Sequence, residues 1–94
     1  MNEGLNRVTV LFFATLKDRA GVRRTELELP EGASIRDVKA ALGERFPALN
    51  SSLPSSLVAV NREYAADDEA IPLHAEIALF PPVSGGDGET TQYT

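Results

Sequence analysis

Apolar positions recur along this chain in two rhythms, strict alternation and helical spacing. The first alternating run is Arg7-Val8-Thr9-Val10-Leu11-Phe12-Phe13-Ala14, and its β-branched and aromatic content predicts a strand. Alternation puts Val8, Val10 and Phe12 on one face and Thr9, Leu11 and Phe13 on the other. Both faces thus carry large apolar groups, which a sheet covered on one side does not need. Residues 1–6 are polar and are expected to fray. Residues 15–21 read as a loop of helical character, closed by Gly21 as a C-cap or turn residue. Arg24-Thr25-Glu26-Leu27-Glu28-Leu29 alternates more cleanly, with Thr25, Leu27 and Leu29 inward and charges outward, as in a strand with one solvated face. Arg23-Arg24 is a small basic spot, read as solvated surface.

Ser34 then predicts a helix N-cap, with Asp37 three residues on as an acidic capping-box partner. Ile35, Val38, Leu42 and Phe46 follow at near-helical spacing, with Ala41 beside them. Arg36, Lys39, Glu44 and Arg45 are assigned to the outer side, and Pro47 stops the helix. Residues 50–56 are polar, Ser-rich and contain Pro54, hence a loop. Leu57-Val58-Ala59-Val60-Asn61 is a third strand, Asn61-Arg62-Glu63 a tight turn, and Tyr64 the start of a short return. Asp67-Asp68-Glu69 is an acidic run without the glycine-bearing spacing of a calcium loop. Ile71-Pro72-Leu73 packs back, His74 is a loop residue rather than a catalyst, and Ile77-Ala78-Leu79-Phe80 is the last strand. Strand, strand, helix, strand, short strand, strand, with one helix over the sheet, is an α+β architecture.

Composition narrows the chemistry. The chain has 94 residues, enough for one small domain, and 43% apolar content, which argues against wholesale disorder. It has no cysteine and one histidine, so it offers no disulfide, thiolate nucleophile or multi-histidine metal site. A net charge of −5 argues against nucleic acid as a partner and is compatible with a basic protein. No signal-peptide pattern and no run of the ~20 apolar residues needed for a membrane span is visible. The expected location is the cytoplasm.

The end of the chain is the informative stretch. After the last strand come Phe80-Pro81-Pro82-Val83-Ser84-Gly85-Gly86. Two prolines stop sheet pairing and stiffen the exit, since neither has an N–H and each favours an extended neighbour. Two glycines then give a backbone tip without Cβ atoms, able to enter a narrow channel.

The strand order, the opening Val10-Leu11-Phe12-Phe13-Ala14, the Val58-Ala59-Val60-Asn61 turn entry and this closing motif resemble the MoaD-type small subunits of molybdopterin synthase. These belong with the ThiS/MoaD ubiquitin-like sulfur carriers, and the resemblance spans residues 7–86. It implies a ubiquitin-like β-grasp fold, a mixed four- to five-stranded sheet with one main helix across one face. It also implies a function without a conventional active site. An adenylating enzyme of the MoeB type, using ATP, would activate the carboxylate of Gly86. Sulfur from a persulfide donor would displace AMP and leave a thiocarboxylate, which the large, MoaE-type synthase subunit would use on a pterin precursor. The carrier itself binds no cofactor or metal. The arm is Pro81, Pro82, Val83, Ser84, Gly85 and Gly86. Phe13 and Phe80 correspond to outward docking residues, and Lys17 to a basic position facing an acidic partner.

One feature departs from the pattern. Carriers of this kind stop at the second glycine, whereas Asp87-Gly88-Glu89-Thr90-Thr91-Gln92-Tyr93-Thr94 follows here. The carrier domain is therefore placed at 1–86 and an extension at 87–94. While attached, the extension leaves Gly86 in a peptide bond, with no carboxylate to adenylate. It is a pro-segment for a tail-removing protease, a linker to a fused large subunit, or a remnant after loss of sulfur transfer. Two other functions stay open: a ubiquitin-like modifier joined to lysines, for which Lys17 and Lys39 are the acceptors in a second copy, and a non-catalytic β-grasp interaction module.

Overall fold

A computed structural model describes residues 4–82. Nine short elements follow in order: β1 (Leu5–Phe12), α1 (Ala14–Ala20), β2 (Arg24–Pro30), α2 (Ile35–Arg45), two single-turn 3-10 helices (Pro47–Leu49 and Leu53–Ser55), β3 (Leu57–Val60), β4 (Glu63–Tyr64) and β5 (Glu76–Phe80). The strands form one five-stranded sheet in the order β2-β1-β5-β3-β4. The central pair, β1 and β5, is parallel and the others are antiparallel, so the sheet is mixed. The β-grasp expectation holds in strand count, in the mixed sheet and in the one main helix.

Alternation explains which face is buried. Val8, Val10 and Phe12 of β1, Leu27 and Leu29 of β2, Val58 of β3 and Ile77 and Leu79 of β5 point into one core with Ile35, Val38 and Leu42 of α2. Phe46 seats its ring edge-on against Phe12, centroids 5.4 Å apart, and fastens the end of α2 to β1. The capping box forms as predicted: Asp37 N–H donates to Ser34 Oγ, and Ser34 N–H donates to Asp37 Oδ2 at 2.9 Å. The acidic run completes the cap through its backbone. The carbonyls of Glu69 and Asp67 accept from Ile35 and Arg36 N–H at 3.1 and 2.9 Å, which satisfies donors that a helix start otherwise leaves open.

Four expectations need correction. Residues 5 and 6 belong to β1 rather than to a frayed end. The buried Asn6 side chain donates to the Pro72 carbonyl at 2.9 Å and accepts from His74 N–H at 2.7 Å, so it replaces water for two loop groups. Residues 14–20 form a helix rather than a loop, because Leu16 is fully buried and Gly21, at φ 81°, closes the last turn onto the Lys17 carbonyl. The Ser-rich stretch supplies core through Leu53 in a 3-10 turn, next to Leu49, which the preceding 3-10 turn buries.

Lys39 is the fourth: it is buried, not on the outer side of α2. Its stem lies in the helix–loop seam, and its Nζ meets Asp67 Oδ1 at 3.0 Å and the Ser56 carbonyl at 3.2 Å. A helical wheel cannot show this, since a lysine can bury its stem wherever its head finds oxygen.

Candidate docking face and C-terminal arm

Among the described residues, no helix covers the sheet face away from α2. Its charges neutralise each other in pairs. Arg7 donates to Glu28 at 2.7 Å and approaches Glu26 at 4.0 Å; Arg24 lies 3.8 Å from Glu26, and Arg62 lies 3.9 Å from Glu76. The hydrogen bond and charge of Glu28, then the charge of Glu26, hold the Arg7 guanidinium above its ordinary pKa. These pairs are exposed and contribute little to stability.

Toward the C-terminal ends of β1 and β5 this face is apolar, with the Arg62–Glu76 pair beside it, and register builds it. In the parallel pair Phe12 lies opposite Leu79, so Phe13 and Phe80 follow side by side. The Phe13 N–H donates to the Leu79 carbonyl at 3.2 Å, which fixes the pair. Their rings stack with centroids 4.7 Å apart and planes 13° from parallel. Leu57 stands opposite Phe80 on β3. One step back, Leu11, Ala78, Ala59 and Tyr64 form a row across four strands. The alanines make a low floor, Tyr64 meets Phe80 edge-on at 6.5 Å, and the result is a groove of about 430 Å³. Phe13 is 40% exposed, Leu57 38% and Tyr64 73%, a concentration of exposed large side chains of the kind an interaction surface uses.

Tyr64 and Leu57 were not among the residues predicted from sequence. The usable signal was the same alternation: Leu57 is out of phase with the inward Val58, and Tyr64 follows a turn whose two centres, Asn61 and Arg62, have positive φ of 49° and 74°. Such a two-residue turn fixes the pairing of Tyr64 with Ala59.

The predicted site residues divide into four groups. Phe13 and Phe80 are brought together on the outer face. Lys17 is exposed on α1, a helix rather than the expected loop, beyond the same end of β1. Pro81 and Pro82 leave β5 directly after Phe80, so the arm starts at the aromatic pair. Val83, Ser84, Gly85, Gly86 and the extension 87–94 lie outside the described residues.

Comparison with known proteins fits this geometry. The ThiS family profile matches residues 10–86, ending at the second glycine of the arm. The chain belongs to the ThiS family. Among its relatives, this ThiS-family chain is 38% identical over 82 residues to the molybdopterin synthase sulfur carrier subunit of Chlamydomonas reinhardtii, covering 85% of the chain and 99% of that protein. It is likewise 38% identical over 82 residues to small archaeal modifier protein 1 of Haloferax volcanii, covering 79% of the chain and 94% of that protein. A crystal structure of that modifier superposes with a TM-score of 0.75 at 34% identity, covering 83% of the chain and 99% of the modifier. A complex of subunits 1 and 2 of the molybdopterin-converting factor of Helicobacter pylori shares the fold, with a TM-score of 0.59 at 22% identity over 85% of this chain and 99% of that one.

Proposed function

We propose that this chain is a sulfur carrier of molybdenum cofactor biosynthesis, the small subunit of a molybdopterin synthase acting in the cytoplasm. The observation that carries the reading is the stacked Phe13–Phe80 pair at the root of the Pro81-Pro82 exit, in a chain that is 38% identical to a named carrier along nearly all of that carrier's length. The aromatic face supplies docking and the arm supplies reach. With no cysteine in the chain, sulfur has no side chain to ride on. A terminal carboxylate at Gly86 is the remaining mount. An adenylating enzyme joins that carboxylate to the α-phosphate of ATP, with pyrophosphate leaving. The terminal sulfur of a persulfide donor then displaces AMP to form an acyl disulfide, a second thiol of the activating machinery cleaves it and leaves as a disulfide with the donor, and the large synthase subunit receives the resulting thiocarboxylate. Residues 87–94 must first be removed, or belong to a linker in a fusion.

The likeness to an archaeal modifier favours a second reading, attachment of Gly86 to a lysine of another protein. Here the structure restricts one outcome. Lys39 is buried, which leaves Lys17 as the exposed lysine for self-attachment.

Mass spectrometry of the protein from its native cells separates these readings. A species ending at Gly86 with one oxygen replaced by sulfur supports the carrier. Isopeptide adducts support the modifier. In reconstitution, the chain ending at Gly86 is expected to be adenylated and to support molybdopterin synthesis, and the full-length chain to do neither until its tail is removed. Equal activity from a full-length chain whose tail is shown intact afterwards rejects the carrier reading.

A further inference from the structure

The outer face is electrically balanced except at one corner. Its three arginines Arg7, Arg24 and Arg62 are all paired with its glutamates. Beyond the end of β1, Lys17 of α1 and Arg23, just before β2, face a common cleft of about 240 Å³ whose apolar wall is Leu11 and Phe13. Neither cation has an ion-pair partner among the described residues. Both are held there by backbone. The Phe12 N–H donates to the Arg23 carbonyl at 2.9 Å, and the Lys17 carbonyl accepts from Gly21 N–H at 3.0 Å. Adjacent arginines thus part company: Arg24 joins the paired charges of the sheet face, while Arg23 opens onto the cleft beside the exposed Phe13 ring.

In a chain of net charge −5, two unpaired cations around an apolar cleft attract what the rest of the molecule repels. We propose that Arg23, acting with Lys17, receives a carboxylate side chain of the protein that docks on the Phe13–Phe80 face. Arg23 is then a specificity residue of this carrier. Its planar guanidinium can grip a carboxylate through two hydrogen bonds where the lysine supplies a point charge. The inference rests on the proposed function for the identity of the partner, taken as the large synthase subunit. It adds the chemistry of the contact: an acidic residue seated next to an apolar surface that covers Phe13. The apolar anchors set how long the complex lives, and the cationic corner sets how fast and in what orientation it forms.

The test is binding of the full chain to the large subunit from the same organism, across ionic strength. Arg23→Ala is expected to weaken binding about 5- to 20-fold at low salt, chiefly through the association rate, and by less than about twofold at high salt, where exposed charges are screened. Arg23→Lys should restore part of the loss. Lys17→Glu with Arg23→Glu should abolish low-salt binding, and a compensating Asp or Glu→Lys change in the partner should recover it. Arg24→Ala, next in sequence but already paired, is the control and should stay within about twofold. All four variants alter exposed side chains, so unchanged thermal unfolding is expected. Arg23→Ala binding like the unmodified chain at low salt overturns the inference while leaving the carrier reading intact. Failure of the unmodified chain to bind the large subunit at all, with or without residues 87–94, overturns both.

Discussion

Phe12, the last residue of β1, and Phe13, the extended residue just past it, are neighbours of the same type that face opposite sides of the sheet, which makes them a controlled experiment. Phe12 is 2% exposed and sits edge-on to Phe46 in the core. Replacing it with Ala removes a full ring and leaves a cavity, a loss of roughly 3–5 kcal/mol. Each kcal/mol lowers Tm by about 4–8 °C in a domain of this size, so Phe12→Ala should melt at least ~12 °C lower. Phe13 is 40% exposed, and its principal intramolecular contact on the outer face is the stack with Phe80. Losing that stack removes about 0.5–1.5 kcal/mol, with a modest further loss from its covered surface. Binding should show the reverse. Phe13→Ala should weaken docking on the large subunit by more than ~1 kcal/mol, because a protruding aromatic is the kind of residue that anchors an interface. The folded fraction of Phe12→Ala should bind like the unmodified chain. The assays are thermal unfolding by circular dichroism and calorimetric titration, with Phe12→Leu as the milder core variant should Phe12→Ala not fold. A Phe13→Ala protein that loses as much stability as Phe12→Ala and keeps its affinity would refute the assignment of faces.

Two other predictions test the scaffold. Leu42 is fully buried on the core side of α2, so Leu42→Ala should lower stability by roughly 2–5 kcal/mol in urea titration; a loss under about half a kcal/mol would mean that α2 does not face the core. Lys39→Ala should lose about 1–3 kcal/mol, mainly by orphaning the Ser56 carbonyl, and less than a fully buried pair because Asp67, 43% exposed on its side chain, can turn to water. Amine-reactive labelling should modify Lys17 well before Lys39, and equal rates would contradict the burial of Lys39.

How much of this was legible depends on how local the cause is. The strand faces, the helix cap at Ser34 and Asp37 and the stop at Pro47 follow from neighbours in sequence, and all were readable. So was the doubled apolar content of β1, because Phe12 and Phe13 cannot both face the helix. The corrections share a different cause. Lys39 is buried because Asp67 and the Ser56 carbonyl arrive from distant segments. Asn6 is buried because the turn after Ile71 brings two backbone groups to it. Leu49 and Leu53, spaced by one helical turn, one just before the serine-rich stretch and one within it, were a readable signal missed, as was the alternation that turns Leu57 and Tyr64 outward. Within the candidate site, the Phe13–Phe80 pair was legible and the parting of Arg23 from Arg24 was not, since it depends on where β2 begins.

Topology explains why the proposed docking face and the root of the arm lie at one end of the sheet. An antiparallel neighbour would run the other way and leave its own C-terminal end far from Phe13. Here β1 and β5 are parallel, so both strands finish at the same edge. That edge therefore collects the exit of β1 with Phe13, the start of α1 with Lys17, the entry to β2 with Arg23, and the exit of β5 with Phe80 and Pro81. A partner that covers the aromatic stack and meets the cationic corner has, by the same contact, the root of the arm in hand. The arm then needs no recognition signal along its length. Two prolines to hold it off the sheet and glycines to keep it thin are enough, which is what the sequence after Phe80 contains. On the proposed function, specificity belongs to the folded edge and chemistry to the tip, so variants at Phe13 or Arg23 should alter which partner is engaged, whereas variants at Gly85 or Gly86 should alter what happens after engagement.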